Sequence, residues 1–153
     1  MVEDSKMLPT GSGGLSKGSS MLLENRRIFI VEDDAVNIAI AAYLLRQHGA
    51  TVFQDRWGDQ ALKVIRDALP LDLILLDIQF PRGVSGFDIF EHLRNEPDLK
   101  QIPVVAVSAS GEMNRARDMG FAGYIAKPIM PYAFPRHLTK ILDGTPVWAD
   151  DQY

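Results

Sequence analysis

Hydrophobic positions along this chain come in two alternating patterns. The strands read at 26–31, 71–77 and 102–107 carry continuous apolar runs at 28–31, 73–76 and 102–107, short and bounded by polar or turn residues. Such runs read as strands buried on both faces, as in a parallel sheet. Shorter strands are predicted at 51–53 and 123–126. Between them, apolar residues recur at helical spacing. Ile38, Ala41, Ala42 and Leu45 mark a helix over 35–48, and Ala61, Leu62, Ile65 and Leu69 mark one over 58–69. Phe87, Phe90 and Leu93 mark a third over 86–95, and Met113, Ala116 and Met119 line the buried side of a fourth over 112–119. Phe134, Leu138, Ile141 and Leu142 mark a fifth, with the helix proper expected to start at Pro135 because a proline is better tolerated in the first turn than inside. Asp34 is a plausible N-cap, Gly49 a plausible C′ residue, and Pro70 a stop. The tail 144–153 contains Trp148 and shows no regular pattern. Five strands alternating with five helices predict an α/β fold, a doubly wound parallel sheet with right-handed crossovers.

Several of these strands end in groups with chemistry. The first delivers Glu32 and Asp33, the third Asp77, the fourth Ser108 and the fifth Lys127. In open parallel sheets, ligands bind at the carboxyl ends of the strands. Each group alone has an ordinary reading, as a solvated turn, a cap or an unremarkable strand end. Together they do not. Two carboxylates about 4 Å apart repel by roughly 4 kcal/mol at an effective dielectric near 20. Three of them therefore call for a cation, and an oxygen-only donor set suits Mg²⁺. Lys127 adds a positive point charge and Ser108 a hydroxyl donor. That set is suited to placing a phosphoryl group on Asp77, with the carboxylate as nucleophile.

Composition narrows the options. The chain has 153 residues, the size of one domain, with a net charge of −4. No basic field recommends nucleic acid as a partner. There is no Cys, which fits a reducing cytoplasm and excludes disulfides and thiolate metal sites. No apolar run approaches the ~20 residues that span a bilayer, and the N-terminus lacks a signal-peptide core. Residues 1–20 are rich in Gly and Ser and are expected to be flexible, and Met21 is a possible internal start. The expected division is a flexible extension or tag at 1–24, a domain at 25–143 and a tail at 144–153.

Four stretches carry a resemblance: Ile30-Val31-Glu32-Asp33-Asp34, Leu75-Leu76-Asp77-Ile78-Gln79-Phe80-Pro81, Val107-Ser108-Ala109 and Tyr124-Ile125-Ala126-Lys127-Pro128. In this order they resemble the receiver domain of two-component response regulators, over about 25–143. The resemblance implies a flavodoxin-like fold with strand order 2-1-3-4-5. It implies that Asp77 is the phosphoacceptor and that Glu32, Asp33 and the Gln79 backbone carbonyl join Asp77 around Mg²⁺. It makes Ser108 and Tyr124 the switch pair, Lys127 the lysine on the phosphoryl group, and Lys127-Pro128 a bond that is often cis. Gln79 and Ser110 flank the site where relatives tune phosphoryl lifetime. The implied donor is a histidine kinase or histidine phosphotransfer protein, and the output is a change in protein–protein binding at an unknown target. The implied protein is a stand-alone, cytoplasmic regulator, a monomer or weak homodimer, without turnover of external substrates.

Two departures stand out. The segment Pro-Arg-Gly-Val-Ser-Gly from Pro81 to Gly86 is one residue longer than usual, and 108–124 is about three residues shorter, which predicts a short fourth helix. Alternatives are a phosphorelay shuttle or phosphate sink, and a receiver-like binding module that works without phosphate. A haloacid-dehalogenase-like phosphatase needs a second Asp where Gln79 stands. A flavin-binding fold needs a phosphate cradle where Glu32, Asp33 and Asp34 stand. Asp34 is expected to cap, and Asn37 to be an exposed helix residue near the site. His48, His92 and His137 are expected to be solvated, and Trp57 and Trp148 to pack locally.

Overall fold

The computed structural model describes residues 21–109 and 111–149. The extension 1–20 and Ser110 lie outside the described residues. The elements in chain order are β1 (Arg27–Val31), α1 (Ala35–Gln47), β2 (Thr51–Asp55), α2 (Ala61–Asp67), β3 (Leu73–Asp77), α3 (Gly86–Arg94), β4 (Val104–Ser108), α4 (Met113–Met119), β5 (Gly123–Ala126), α5 (Ala133–Leu142) and β6 (Val147–Ala149). A single 3₁₀ turn, Pro81–Gly83, lies between β3 and α3. All strands pair in parallel, in the order β2-β1-β3-β4-β5-β6. The flavodoxin-like order implied by the resemblance is present, with one strand added at the β5 edge.

Burial follows from the doubly wound arrangement. Every residue of β3 and β4 is buried, which is why both read as unbroken apolar runs. One face of the sheet packs Phe29, Ile74, Leu76 and Ala106 under α2, α3 and α4, with Phe90 stacked on Phe121 at 4.0 Å. The other packs Ile28, Ile30, Leu75 and Val105 under α1 and α5, through Ala41, Leu45, Phe134 and Leu138. Asp34 caps α1 as expected, accepting from the backbone N–H groups of Val36 and Asn37.

Several boundaries differ from the sequence reading. α2 starts at Ala61 rather than 58, because Gly58, Asp59 and Gln60 are exposed and offer no side-chain cap. α5 starts at Ala133, so Pro135 stands in the first turn, where its missing N–H leaves no helical bond unmade. Leu23 is anchored rather than part of a free extension: it is fully buried and its N–H donates to the His48 carbonyl at 2.8 Å. The tail is not patternless, since Val147, Trp148 and Ala149 form β6. His48 and His137 are half-buried, each with an enclosed Nδ1 that has no hydrogen-bond partner, while His92 is exposed. Lys127-Pro128 is cis, as is Leu69-Pro70.

Candidate functional site

Each group at the carboxyl edge is positioned by the ladder just behind it. The Glu32 N–H extends the β1–β2 pairing by donating to the Asp55 carbonyl at 3.3 Å. The Lys127 N–H extends the β4–β5 pairing by donating to the Ser108 carbonyl at 2.8 Å. Asp77 ends β3, between β1 and β4 in the sheet. Three of the expected groups come together: the Lys127 ammonium lies 3.1 Å from Glu32 Oε1 and 3.1 Å from Asp77 Oδ1.

The two bridged carboxylates are buried, Glu32 to 6% exposure and Asp77 to 5%. Backbone donors hold their orientation. The Asp34 N–H donates to Glu32 Oε2 at 3.1 Å, and the Gln79 N–H donates to Asp77 Oδ1 at 3.3 Å. Burial pushes the Glu32 carboxyl above its ordinary range and the Asp77 charge adds to this; the Asp34 N–H and Lys127 oppose it. Burial alone would lower the Lys127 ammonium, but Asp77 and Glu32 outweigh it and hold it above the ordinary lysine value. Asp33 stands apart. It is half-buried, with Oδ1 3.9 Å from Arg56 Nη1. These groups wall an open cleft of about 470 Å³ together with Gln79 and Pro81.

Ser108 is at the end of β4 and fully buried, behind the cleft rather than on its wall. Tyr124 is fully buried on β5, and its Oη accepts from the Glu112 N–H at 3.3 Å. Asn37 borders the cleft from α1. The longer loop after β3 is accommodated by the 3₁₀ turn, where Arg82 has φ 60° and Gly83 φ 74°. A bridge between Gln79 and Ser85 closes it.

Gly86 belongs to the site although its role was not read from the sequence. A Cβ there would lie 2.3 Å from the Asp77 carbonyl oxygen and 2.7 Å from Ile78 Cα. Only glycine lets the start of α3 approach β3 so closely, and the Gly86 N–H donates to the Ile78 carbonyl at 2.7 Å. The available signal was its position, a glycine opening a helix just after a strand-end Asp.

The donor set suits a small hard divalent cation. Glu32, Asp33 and Asp77 offer only oxygen, and the single ammonium of Lys127 leaves their combined charge strongly negative. Among the described residues no three acidic side chains already stand at metal-ligand spacing. Lys127 draws Glu32 and Asp77 together, while Asp33 faces Arg56.

Known proteins resemble this chain in sequence and fold. The family model of the response regulator receiver domain matches residues 28–139. The polar-differentiation response regulator DivK of Brucella ovis is 37% identical over 119 residues, 76% of this chain and 93% of that protein, and DivK of Brucella abortus matches equally. Among solved structures, a response regulator from Desulfuromonas acetoxidans superimposes with a TM-score of 0.68 at 26% identity, over 77% of this chain and 97% of that one. The receiver domain of a sensor histidine kinase from Pseudomonas aeruginosa, with a magnesium ion coordinated in its active-site cleft, gives 0.67 at 25% identity, over 78% and 98%. With the model matching residues 28–139 and a relative 37% identical over 76% of the chain, this chain belongs to the response regulator receiver domain family.

Proposed function

We propose that this receiver accepts a phosphoryl group on Asp77 from a phosphohistidine donor, a histidine kinase or histidine phosphotransfer protein, and thereby changes its binding to a protein target. The observation that carries this reading is the Lys127 ammonium placed 3.1 Å from both Glu32 and Asp77, at the carboxyl edge of the sheet. In the transfer, an Asp77 oxygen attacks phosphorus, a new P–O bond forms and the P–N bond of the donor breaks. The bonding pair returns to the donor imidazole. Lys127 follows the developing negative charge on the phosphoryl oxygens. The Gln79 N–H, which donates to Asp77 Oδ1, leaves the other carboxylate oxygen for attack.

Glu32, Asp33 and Asp77, with the Gln79 carbonyl, are the groups that would hold Mg²⁺. Bound there, the ion supplies charge neutralisation for the transferring oxygens. Ser108 is the hydroxyl that takes up the acyl phosphate, and Tyr124 reads its movement. Gln79 in place of a second acid leaves no general acid two residues from the nucleophile, so multiple turnover of external phosphate esters is not expected.

Incubation with acetyl phosphate and Mg²⁺, followed by intact-mass measurement, tests the proposal. One added phosphoryl group is expected, lost when Mg²⁺ is chelated. A folded protein that gains no mass under these conditions would overturn it.

A further inference from the structure

The sixth strand lies beyond the stretch that matches the family model, which ends at residue 139. After α5 the chain returns parallel to β5, with Gly123 opposite Val147, Tyr124 opposite Trp148 and Ile125 opposite Ala149. Side chains alternate along a strand, and register partners in parallel strands share a face. Trp148 therefore stands beside Tyr124 and packs on the same core cluster as Tyr124 and Ala116. From α4, the Arg117 guanidinium lies over the Trp148 ring at 4.9 Å. Val147 packs on the opposite face, with Leu138 and Ile141 of α5. Gly123 makes room for this: a Cβ there would lie 2.7 Å from Ile141 Cδ1 and 3.0 Å from the Val147 carbonyl oxygen. Three residues are thus held by α4, β5 and α5 at once.

The same residues connect to the phosphorylation site. Glu112 stands between Ser108 and α4, and its N–H donates to Tyr124 Oη. A displacement of Ser108 that carries Glu112 with it strains this bond and shifts α4, and with it Arg117, relative to Trp148. Such a contiguous chain of contacts is one physical route for coupling between the site and the strand.

We propose that β6 is a strap over the β5 edge, held closed in the unmodified chain and loosened by phosphorylation at Asp77. The slot it leaves, bounded by Tyr124 and Arg117, fits an extended peptide with a large aromatic residue between small apolar ones, the pattern of the strand it replaces. The proposal rests on the phosphorylation reading for its trigger, but not for the coupling between Tyr124 and the strap.

Hydrogen exchange on the full chain tests it. With Mg²⁺ and acetyl phosphate, exchange of the 147–149 amides is expected to rise by about tenfold, with no change in Asp77→Asn. Unchanged exchange in a chain whose mass shows full phosphorylation would overturn the strap. Should no phosphoryl group be gained, the phosphorylation reading fails instead, and Tyr124→Phe without any phosphodonor decides the coupling. Losing the Glu112 bond is expected to raise 147–149 exchange by about threefold; no change would overturn it. The slot is tested with Trp148→Ala and a labelled peptide copying residues 144–153. Binding to this variant and not to the unsubstituted chain is expected; binding to neither would overturn the slot.

Discussion

At the scale of the residue, the site is a balance of like charges. Glu32 and Asp77 are both buried and both face one ammonium. A carboxyl whose folded pKa is raised binds protons more readily in the folded state, so Glu32 makes stability fall as pH rises through its ordinary value of 4.5 and above. Neutralising its neighbour relieves this. Asp77→Asn is expected to raise the melting temperature at pH 7 by about 3 °C, on the order of 1 kcal/mol, while abolishing phosphoryl gain. A calorimetric scan showing a lower melting temperature would contradict the repulsion. Lys127 has the same sign in a higher window: its folded pKa is raised, so its contribution is complete below 10.5 and is lost only as pH climbs through the folded value above that. Lys127→Met is expected to slow phosphorylation by roughly 100-fold or more, the scale of losing one charge-stabilising group. Its Mg²⁺ affinity, read by titration calorimetry, is expected to rise because a competing cation is gone. A Mg²⁺ affinity that falls instead would show that Lys127 organises the carboxylates rather than competing for them.

At the scale of the element, close approach and helix-end burial matter most. Gly86→Ala places a methyl against the Asp77 carbonyl and Ile78 Cα, which are backbone and cannot rotate away. It is expected to cost about 2–3 kcal/mol in urea unfolding, as overpacking does, and to slow Asp77 phosphorylation by displacing the end of β3. Wild-type stability in this variant would mean that α3 shifts freely. His48 at the end of α1 and His137 in α5 are both held below the ordinary histidine pKa, by burial first and then by Arg136 and Lys140 respectively. Both stay neutral in the fold while the unfolded chain takes up protons. Stability from these groups is therefore full above pH 6.5 and falls as pH drops below it. Paired denaturant curves at pH 7.5 and 5.5 are expected to lose less stability in His48→Gln/His137→Gln than in the unsubstituted chain. Periodicity could not reveal these histidines as half-buried. It identifies the inward stripe of a helix, but not which neighbouring element covers its end. The start of α2 was misplaced for a related reason, since Gly58 to Gln60 satisfy helical spacing without an apolar contact.

For the whole molecule, the parallel sheet was legible because its strands are buried on both faces and read as apolar runs, while the strand order followed only from the family resemblance. The site was legible for the same reason. Glu32, Asp77, Ser108 and Lys127 each interrupt or end such a run, and one sheet brings all of those ends to one edge. β6 was not legible. Three residues joined to a single neighbour leave no periodic signal, and the Arg117 partner on α4 is remote in sequence. Among the described residues, no helix is long and apolar enough to cross a membrane.

The most direct test is the location of the phosphoryl group itself. Acyl phosphates are reduced by borohydride to the alcohol, so a phosphorylated aspartate becomes homoserine and can be identified by peptide mass spectrometry. Homoserine at position 77, formed only with Mg²⁺ and phosphodonor, is the expected result. Reduction at Glu32, Asp33 or another carboxyl, with position 77 unchanged, would contradict the assignment of Asp77 as the nucleophile.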